Sequence, residues 1–321
     1  MSPLEGLLMA PLKEVGERAL IDGIMSIIRR PPGLGPGDDA ALIPFPGGDI
    51  VACTDSVTFK RHFPKGMTYM EFGWTAAAVN ISDLAAMGAE PIGLLAALTM
   101  PPELDAASLY DLMVGMDRCA GSFGSYIYGG DTKFGCGAVS CTAIGSMNGR
   151  TPMLRSGARP GDVVAVTGSL GSAAAVFFAM DRGLDCHISR SPLMAPAPRV
   201  AEGVALSSSG AVTSCADLSD GLAEGARSIC WASHAGMDIH MPFLPEGDGV
   251  DLVSAKSGIP KEDMMLYWGG DYELLFTFDK DKRDVLYDLD VDFSIIGMVT
   301  NDDGPYINYE GRREAMGHGR H

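Results

Sequence analysis

The chain has 321 residues, room for about two domains, and 46% hydrophobic against 20% charged residues predict a soluble globular protein with ample core material. Its 41 acidic and 24 basic residues give a net charge of −17, which argues against nucleic acid, whose binding demands a positive surface, and against an anionic membrane. A negative protein acting on negative substrates needs cations as intermediaries, so the balance fits a magnesium-dependent enzyme, and plain solubility accounts for it too.

In chain order, residues 1–30 read as a helix carrying Leu20, Ile24, Ile27 and Ile28 on one side, stopped by "RRPPGLGPG". The first 20 residues lack a basic region followed by a long apolar core, so no signal peptide is expected. Two adjacent aspartates, Asp38 and Asp39, then stand between a glycine/proline run and an apolar segment that reads as a buried strand. Like charges side by side are unfavourable unless water or a cation shields them; a solvated turn is the plain alternative. "DIVACTDSV" (49–57) alternates as a strand with Val51, Cys53 and Asp55 on one face. The alanine-rich stretch 69–88 predicts a helix ended by Gly88 and Pro91, followed by a strand over 92–100, a helix over 105–124, and strands over 126–132 and 138–147.

After Gly149 the pattern restarts. A strand at 161–168 leads through a glycine turn to a helix over 172–180. A helical region around 196–210, a strand at 211–217, a helix over 221–236 and a strand at 271–278 follow. A charged helix over 279–290 and a strand at 292–299 close the unit. The expected fold class is therefore α/β (α+β) in two domains, 1–149 and 150–321. The seven cysteines show no CxxC pair and read as small core residues in a reduced compartment, without disulfides or a zinc site. The longest apolar run, near "IGLLAALTM", is too short to span a bilayer. A cytoplasmic location is expected.

The aspartates carry the chemistry. Asp39 precedes a strand, Asp55 falls near the end of one, Asp131 follows another in "YGGDT", and Asp217 and Asp220 bracket a strand-to-helix turn in "DLSDGL". Strand ends and the turns after them are where α/β proteins assemble sites. Asp83 is odder, because it lies in an apolar helix, three residues from Asn80, where an unpaired carboxylate is costly. An arginine partner for Asp83, or a helix-capping role for Asp220, would be the bland account of each. Taken together, hard oxygen ligands without clustered nitrogen or sulfur point to magnesium or calcium rather than zinc, and magnesium points to phosphate chemistry. The glycine turn in "VTGSLGSAAAV" can hold an anion on backbone N–H groups or merely allow tight strand–helix packing. Arg155 and Arg159 can reach a nucleotide phosphate or form surface ion pairs.

The segments "GDDAAL", "TDSVTFKRHF", "WTAAAVNISDLAAMGAEP", "YGGDT", "RSGARPGD", "VTGSLGSAA", "PAPRVAEG", "DLSDGL" and "GGDYELLFT", in this order, resemble the thiamine-monophosphate kinases of the aminoimidazole-ribotide-synthetase-like superfamily. The resemblance implies a two-domain fold whose N-terminal mixed sheet forms a barrel across a homodimer. It also implies several Mg2+ ions, ATP as co-substrate and thiamine monophosphate as acceptor. Position by position it makes Asp39, Thr54, Asp55, Asp83, Asp131, Asp217 and Asp220 metal ligands. Arg155, Ser219 and Asp131 become nucleotide contacts, Asp39, Asp55, Asp83 and Asp131 the catalytic set, and His62 a contact to the acceptor, where a plain loop histidine is the alternative.

Two departures fall on the acceptor side. Where the family reads glutamate before DYEL, this chain has Gly270, and where the family has an aromatic residue near its C-terminus, this chain has His318. The resemblance therefore bears more firmly on phosphoryl transfer from ATP than on the acceptor. An enzyme closer to aminoimidazole ribotide synthetase and a non-catalytic nucleotide or metal sensor are the competing readings. No glycine-loop cysteine of a selenophosphate synthetase and no C-terminal cysteine of a carbamoyl dehydratase is present.

Overall fold

The structure is a computed structural model that describes Leu34 and residues 37–319; the expected helix over 1–30 lies outside them. The N-terminal half is a five-stranded mixed sheet in the order β1-β2-β5-β3-β4, formed by β1 (Ala41–Ile43), β2 (Ile50–Thr58), β3 (Glu90–Met100), β4 (Ile127–Phe134) and β5 (Ala138–Ser146). Only β3 and β4 run parallel. A short helix α1 (Phe59–His62) follows β2, and α2 (Tyr69–Met87) and α3 (Ala106–Ser122) pack together on one face of the sheet.

Helix α2 is the organising element. A reciprocal capping box between Thr68 and Glu71 starts it, and Gly88, in the left-handed conformation, ends it. Fourteen of its 19 residues are buried, which its small alanines permit because they let neighbours approach on every side. One side lies on β2 and β5; the other meets the C-terminal half. Pro91 proved to be no breaker after the helix: it lies inside β3, where the ladder with β5 slips by one residue between Pro91 and Gly93.

The C-terminal half holds a seven-stranded sheet in the order β12-β11-β8-β10-β6-β9-β7. Its strands are β6 (Val163–Thr167), β7 (Val212–Asp217), β8 (Gly236–His240), β9 (Leu274–Phe278), β10 (Phe293–Thr300), β11 (Gly304–Tyr309) and β12 (Arg312–Ala315). The helices are α4 (Ser172–Asp181), α5 (Ser191–Met194), α6 (Val200–Ser209), α7 (Leu222–Ser233), α8 (Val250–Ser257), α9 (Lys261–Leu266) and α10 (Arg283–Tyr287). Val164 and Val166 of β6 join one core with α4 and α7, while Ala165 joins Leu206 and Leu286 in another on the opposite face. Burial on both faces explains why β6 reads as an unbroken apolar run.

Two expectations are corrected. Strand β10 does not close the unit, since β11 and β12 follow it, and the charged helix over 279–290 is only a 3-10 turn (Lys280–Lys282) and the five-residue α10. All seven cysteines are free, and four of them are buried. Among the described residues no helix is long and apolar enough to cross a membrane.

Candidate active site

The two halves meet where the C-terminal part of α2 faces β7. Here Asp39, Asp83 and Asp217, from three separate segments, bring one carboxylate oxygen each within 4.8 Å of one another. Burial raises the pKa of all three. For Asp83 the charges of Asp217, Asp55 and Asp39 push in the same direction, and Asp217 is pushed up to about 7 by burial and then by Asp39. Burial holds all three against ionisation, repulsion from neighbouring acids adds to this at Asp83 and Asp217, and Arg155 opposes it at Asp39; converging carboxylates of this kind make a good hard-cation site. Asp39 Oδ2 is buried and has no hydrogen-bond partner, as an oxygen left for a cation would be.

Each carboxylate is aimed by a neighbour. Ser82 donates from Oγ to Asp217 Oδ2 at 2.7 Å, joining α2 to β7 across the two halves. Arg155 donates from Nη2 to Asp39 Oδ1 at 2.6 Å. Asp38 uses its own carboxylate locally, accepting from the backbone N–H of Asp39 at 3.1 Å and of Arg155 at 3.0 Å. The adjacent aspartates thus divide the work: Asp38 builds the turn and Asp39 faces the cluster. Burial, with the Asp39 charge next, raises Asp38 to about 6.

Asp55 is fixed through its backbone. The fully buried Asn80 accepts the Asp55 N–H at 2.8 Å and donates to the Ala76 carbonyl at 3.1 Å. Asp55 and Asp220 flank the cluster: the Asp55 charge helps to raise Asp83, the Asp220 charge helps to raise Asp217, and both act on His62. Ser219 donates to Asp217 Oδ1 at 3.3 Å. His62 ends α1 with Nδ1 accepting the Thr58 N–H at 3.0 Å. Burial, then Arg61, lowers its pKa. The ring is therefore neutral near pH 7, with its proton on Nε2 because Nδ1 accepts.

Other expected residues have hydrogen-bond or ion-pair partners of their own. Strand alternation turns the Thr54 hydroxyl to the opposite face from Asp55, where it donates to the Cys141 carbonyl at 2.9 Å and accepts from Thr142. Asp131 is exposed on the edge strand β4 and ion-paired to Lys133 at 3.1 Å. Arg155 holds Asp39, with its Nε buried and unpartnered. His318 pairs with Glu224 at 3.2 Å in the first turn of α7.

Gly270 has φ +95, a conformation that a glutamate side chain would strain. Its N–H donates to the Ser219 carbonyl at 2.9 Å, and a Cβ on the adjacent Gly269 would stand 2.0 Å from that same oxygen. The 268–270 loop thus rests backbone-to-backbone on the turn that carries Asp217 and Asp220.

Several supporting residues were not singled out by their sequence pattern. Asp271, half-buried, accepts the N–H groups of Gly171 at 2.7 Å and Ala173 at 3.2 Å where α4 begins, and desolvation raises it to about 7. Glu273 takes a two-pronged hydrogen bond from Arg199, at 2.7 and 2.5 Å, and a third from Thr167 at 2.7 Å. Tyr272 between them has φ +52, a strained backbone for a tyrosine, and packs into the N-terminal core. The available signal was charge beside an apolar strand in "DYELLF", together with Asn80, Ser82 and Asp83 clustered in an otherwise apolar helix.

Residues 37–149 match the AIR synthase related protein N-terminal domain, and residues 159–310 match the AIR synthase related protein C-terminal domain. The thiamine-monophosphate kinase of Methanospirillum hungatei JF-1 is 34% identical over 82% of this chain and 86% of its own length. The Mycobacterium tuberculosis thiamine-monophosphate kinase is 36% identical over 83% and 82%. Among solved structures, AaThiL complexed with AMPPCP and TMP superposes with a TM-score of 0.83 at 25% identity, covering 95% of this chain and 96% of that one. The chain therefore belongs to the AIR synthase related protein family, and within it to the thiamine-monophosphate kinases.

Proposed function

We propose that the chain transfers the γ-phosphoryl group of ATP to the phosphate of thiamine monophosphate, yielding thiamine diphosphate and ADP. An acceptor phosphate oxygen attacks the γ-phosphorus, the bond from that phosphorus to the β–γ bridging oxygen breaks, and ADP leaves with the electron pair. The observation that carries the reading is the meeting of Asp39, Asp83 and Asp217 within 4.8 Å, in a chain 34% identical to a thiamine-monophosphate kinase. Mg2+ held there would neutralise the charge that builds between two anionic phosphates. Asp39, Asp83 and Asp217 would hold the cation, with Asp55 and Asp220 beside them. Ser82, Arg155 and Asn80 fix these groups in place, which keeps the site from reorganising during transfer. His62 donates from Nε2 to an acceptor phosphate oxygen.

The outer face of the N-terminal sheet supports a homodimer. Leu95 on that face is 43% exposed, and Ile92, Tyr126, Tyr128 and Phe134 around β3 and the edge strand β4 are 42%, 65%, 66% and 81% exposed; exposed apolar surface of this kind calls for a partner. Light scattering at micromolar concentration is expected to give a dimer.

The test of the reaction is a phosphorus NMR screen of ATP and Mg2+ with thiamine monophosphate, thiamine and aminoimidazole-pathway substrates. Thiamine diphosphate should form from the first alone. In the same assay His62→Ala should raise KM for thiamine monophosphate about tenfold and leave KM for ATP little changed. Absence of turnover with every acceptor, despite ATP binding, would favour the sensor.

A further inference from the structure

We propose that Phe177 and Trp268 form the surface that selects the acceptor through its ring system; this rests on the phosphotransfer reading above and adds a specificity determinant to it. Trp268 belongs to the loop seated on the acidic turn. The chain at Gly221, next to Asp220, passes so close that a Cβ there would lie 2.7 Å from the Trp268 carbonyl oxygen. The Trp268 ring lies 4.7 Å from Phe178 and 4.7 Å from Phe177, the latter tilted by 34°. Phe178 and Trp268 pack against the C-terminal core, so Phe177 rides on an anchored ring. Phe177 and Trp268 are only half-buried.

Helix α4 gives this pair a direction. Ala173, Phe177 and Met180 recur at i, i+4 and i+7, on one helix face. At one end, Ala173 Cβ stands 3.4 Å from where a Gly270 side chain would begin; at the other, Met180 Cε stands 3.2 Å from the same position on Gly66, in the loop after His62. The face therefore runs from the acidic turn to the His62 loop, over a helix rise of about 10 Å, the length of a two-ring molecule. The site's buried charge is predominantly acidic, and thiamine monophosphate carries a fixed thiazolium cation and an aminopyrimidine. A tryptophan face beside acids is the surface such a cation prefers. Gly270 offers no side chain to compete for it.

The experiment uses the full-length chain with Mg2+ and compares wild type with Trp268→Leu, Trp268→Phe and Phe177→Leu. Trp268→Leu should raise KM for thiamine monophosphate about tenfold and Phe177→Leu about fivefold, with KM for ATP and kcat within about twofold of wild type. Trp268→Phe should recover most of the affinity. Tryptophan emission quenched by thiamine monophosphate in the wild type should no longer respond in Trp268→Phe, although calorimetry still detects binding. Should Trp268→Leu fail to fold, Phe177→Leu and the emission of Trp268→Phe decide. An unchanged acceptor KM in Phe177→Leu with quenching retained in Trp268→Phe, or equal rises in both KM values, would overturn the assignment. Failure of the wild type to phosphorylate thiamine monophosphate would instead overturn the reaction itself, and this assignment with it.

Discussion

Replacing Asp83 by asparagine separates a cation ligand from a structural acid, because the two roles predict opposite signs. In the metal-free protein the Asp83 carboxylate shares a 4.8 Å neighbourhood with Asp39 and Asp217. At an effective dielectric constant of about 20, two unit charges at that separation repel by about 3.5 kcal/mol. Partial protonation already relieves some of this, as the raised pKa values of the cluster require. Asp83→Asn is therefore expected to stabilise the metal-free protein by about 1–3 kcal/mol, or about 3–10 °C in Tm. With Mg2+ the sign inverts: loss of one ligand charge should lower kcat/KM by about two to three orders of magnitude, about 3–4 kcal/mol of transition-state stabilisation. Scanning calorimetry in EDTA and a coupled ADP-release assay over a Mg2+ titration read the two effects. A Tm that falls in EDTA while kcat/KM stays near wild type would refute the reasoning and make Asp83 a structural acid.

Asn80→Ala removes the acceptor for the Asp55 N–H from a fully buried position, so urea denaturation should show a loss of about 2–3 kcal/mol and the Mg2+ requirement should rise. Glu273→Gln leaves Arg199, one-third exposed, without its two-pronged partner; about 2–3 kcal/mol of stability should be lost while KM for ATP holds. The pH dependence has a definite sign. Asp38, at about 6, and Asp217 and Asp271, at about 7, bind protons more tightly folded than unfolded, where a pKa of about 3.9 applies. Metal-free stability is thus highest below about pH 4 as far as these groups contribute, and falls as pH rises towards about 7. Thermal scans in EDTA should show that fall and Mg2+ should flatten it; a Tm rising with pH across the window in EDTA would contradict the assignment.

What the sequence disclosed depended on whether a signal was local. Helix α2 was legible from end to end, and Asp83 stood out because it interrupts an apolar pattern. Strand β12, "RREA", was not legible, since all four residues are exposed and no alternation exists to read. Strand β11 begins with Gly304-Pro305, which reads as a turn. Thr54 shows what strand alternation adds to a position-by-position transfer, because adjacent strand side chains face opposite ways and the Thr54 hydroxyl bonds across to Cys141 and Thr142 while Asp55 faces the cluster. Supports such as Ser82 on Asp217 and Arg199 on Glu273 join residues 135 and 74 positions apart. No periodicity encodes such pairs; only the fold brings them together.

Two like charges at the entrance to a strand can now be accounted for physically. Asp38 satisfies backbone donors on both sides of the seam, and Asp39 is drawn against Arg155 with its other oxygen buried and unpartnered. That arrangement disfavours the metal-free fold, and a structure selected only for stability would replace it with apolar side chains. The repulsion lost when a cation binds adds directly to the cation's affinity, so instability without metal and affinity for metal are one free energy seen from two sides. Because Asp39 and Asp83 come from one half and Asp217 from the other, that free energy also draws the halves together. Cation binding should therefore stiffen the seam between α2 and β7 on which the 268–270 loop and its aromatic pair depend.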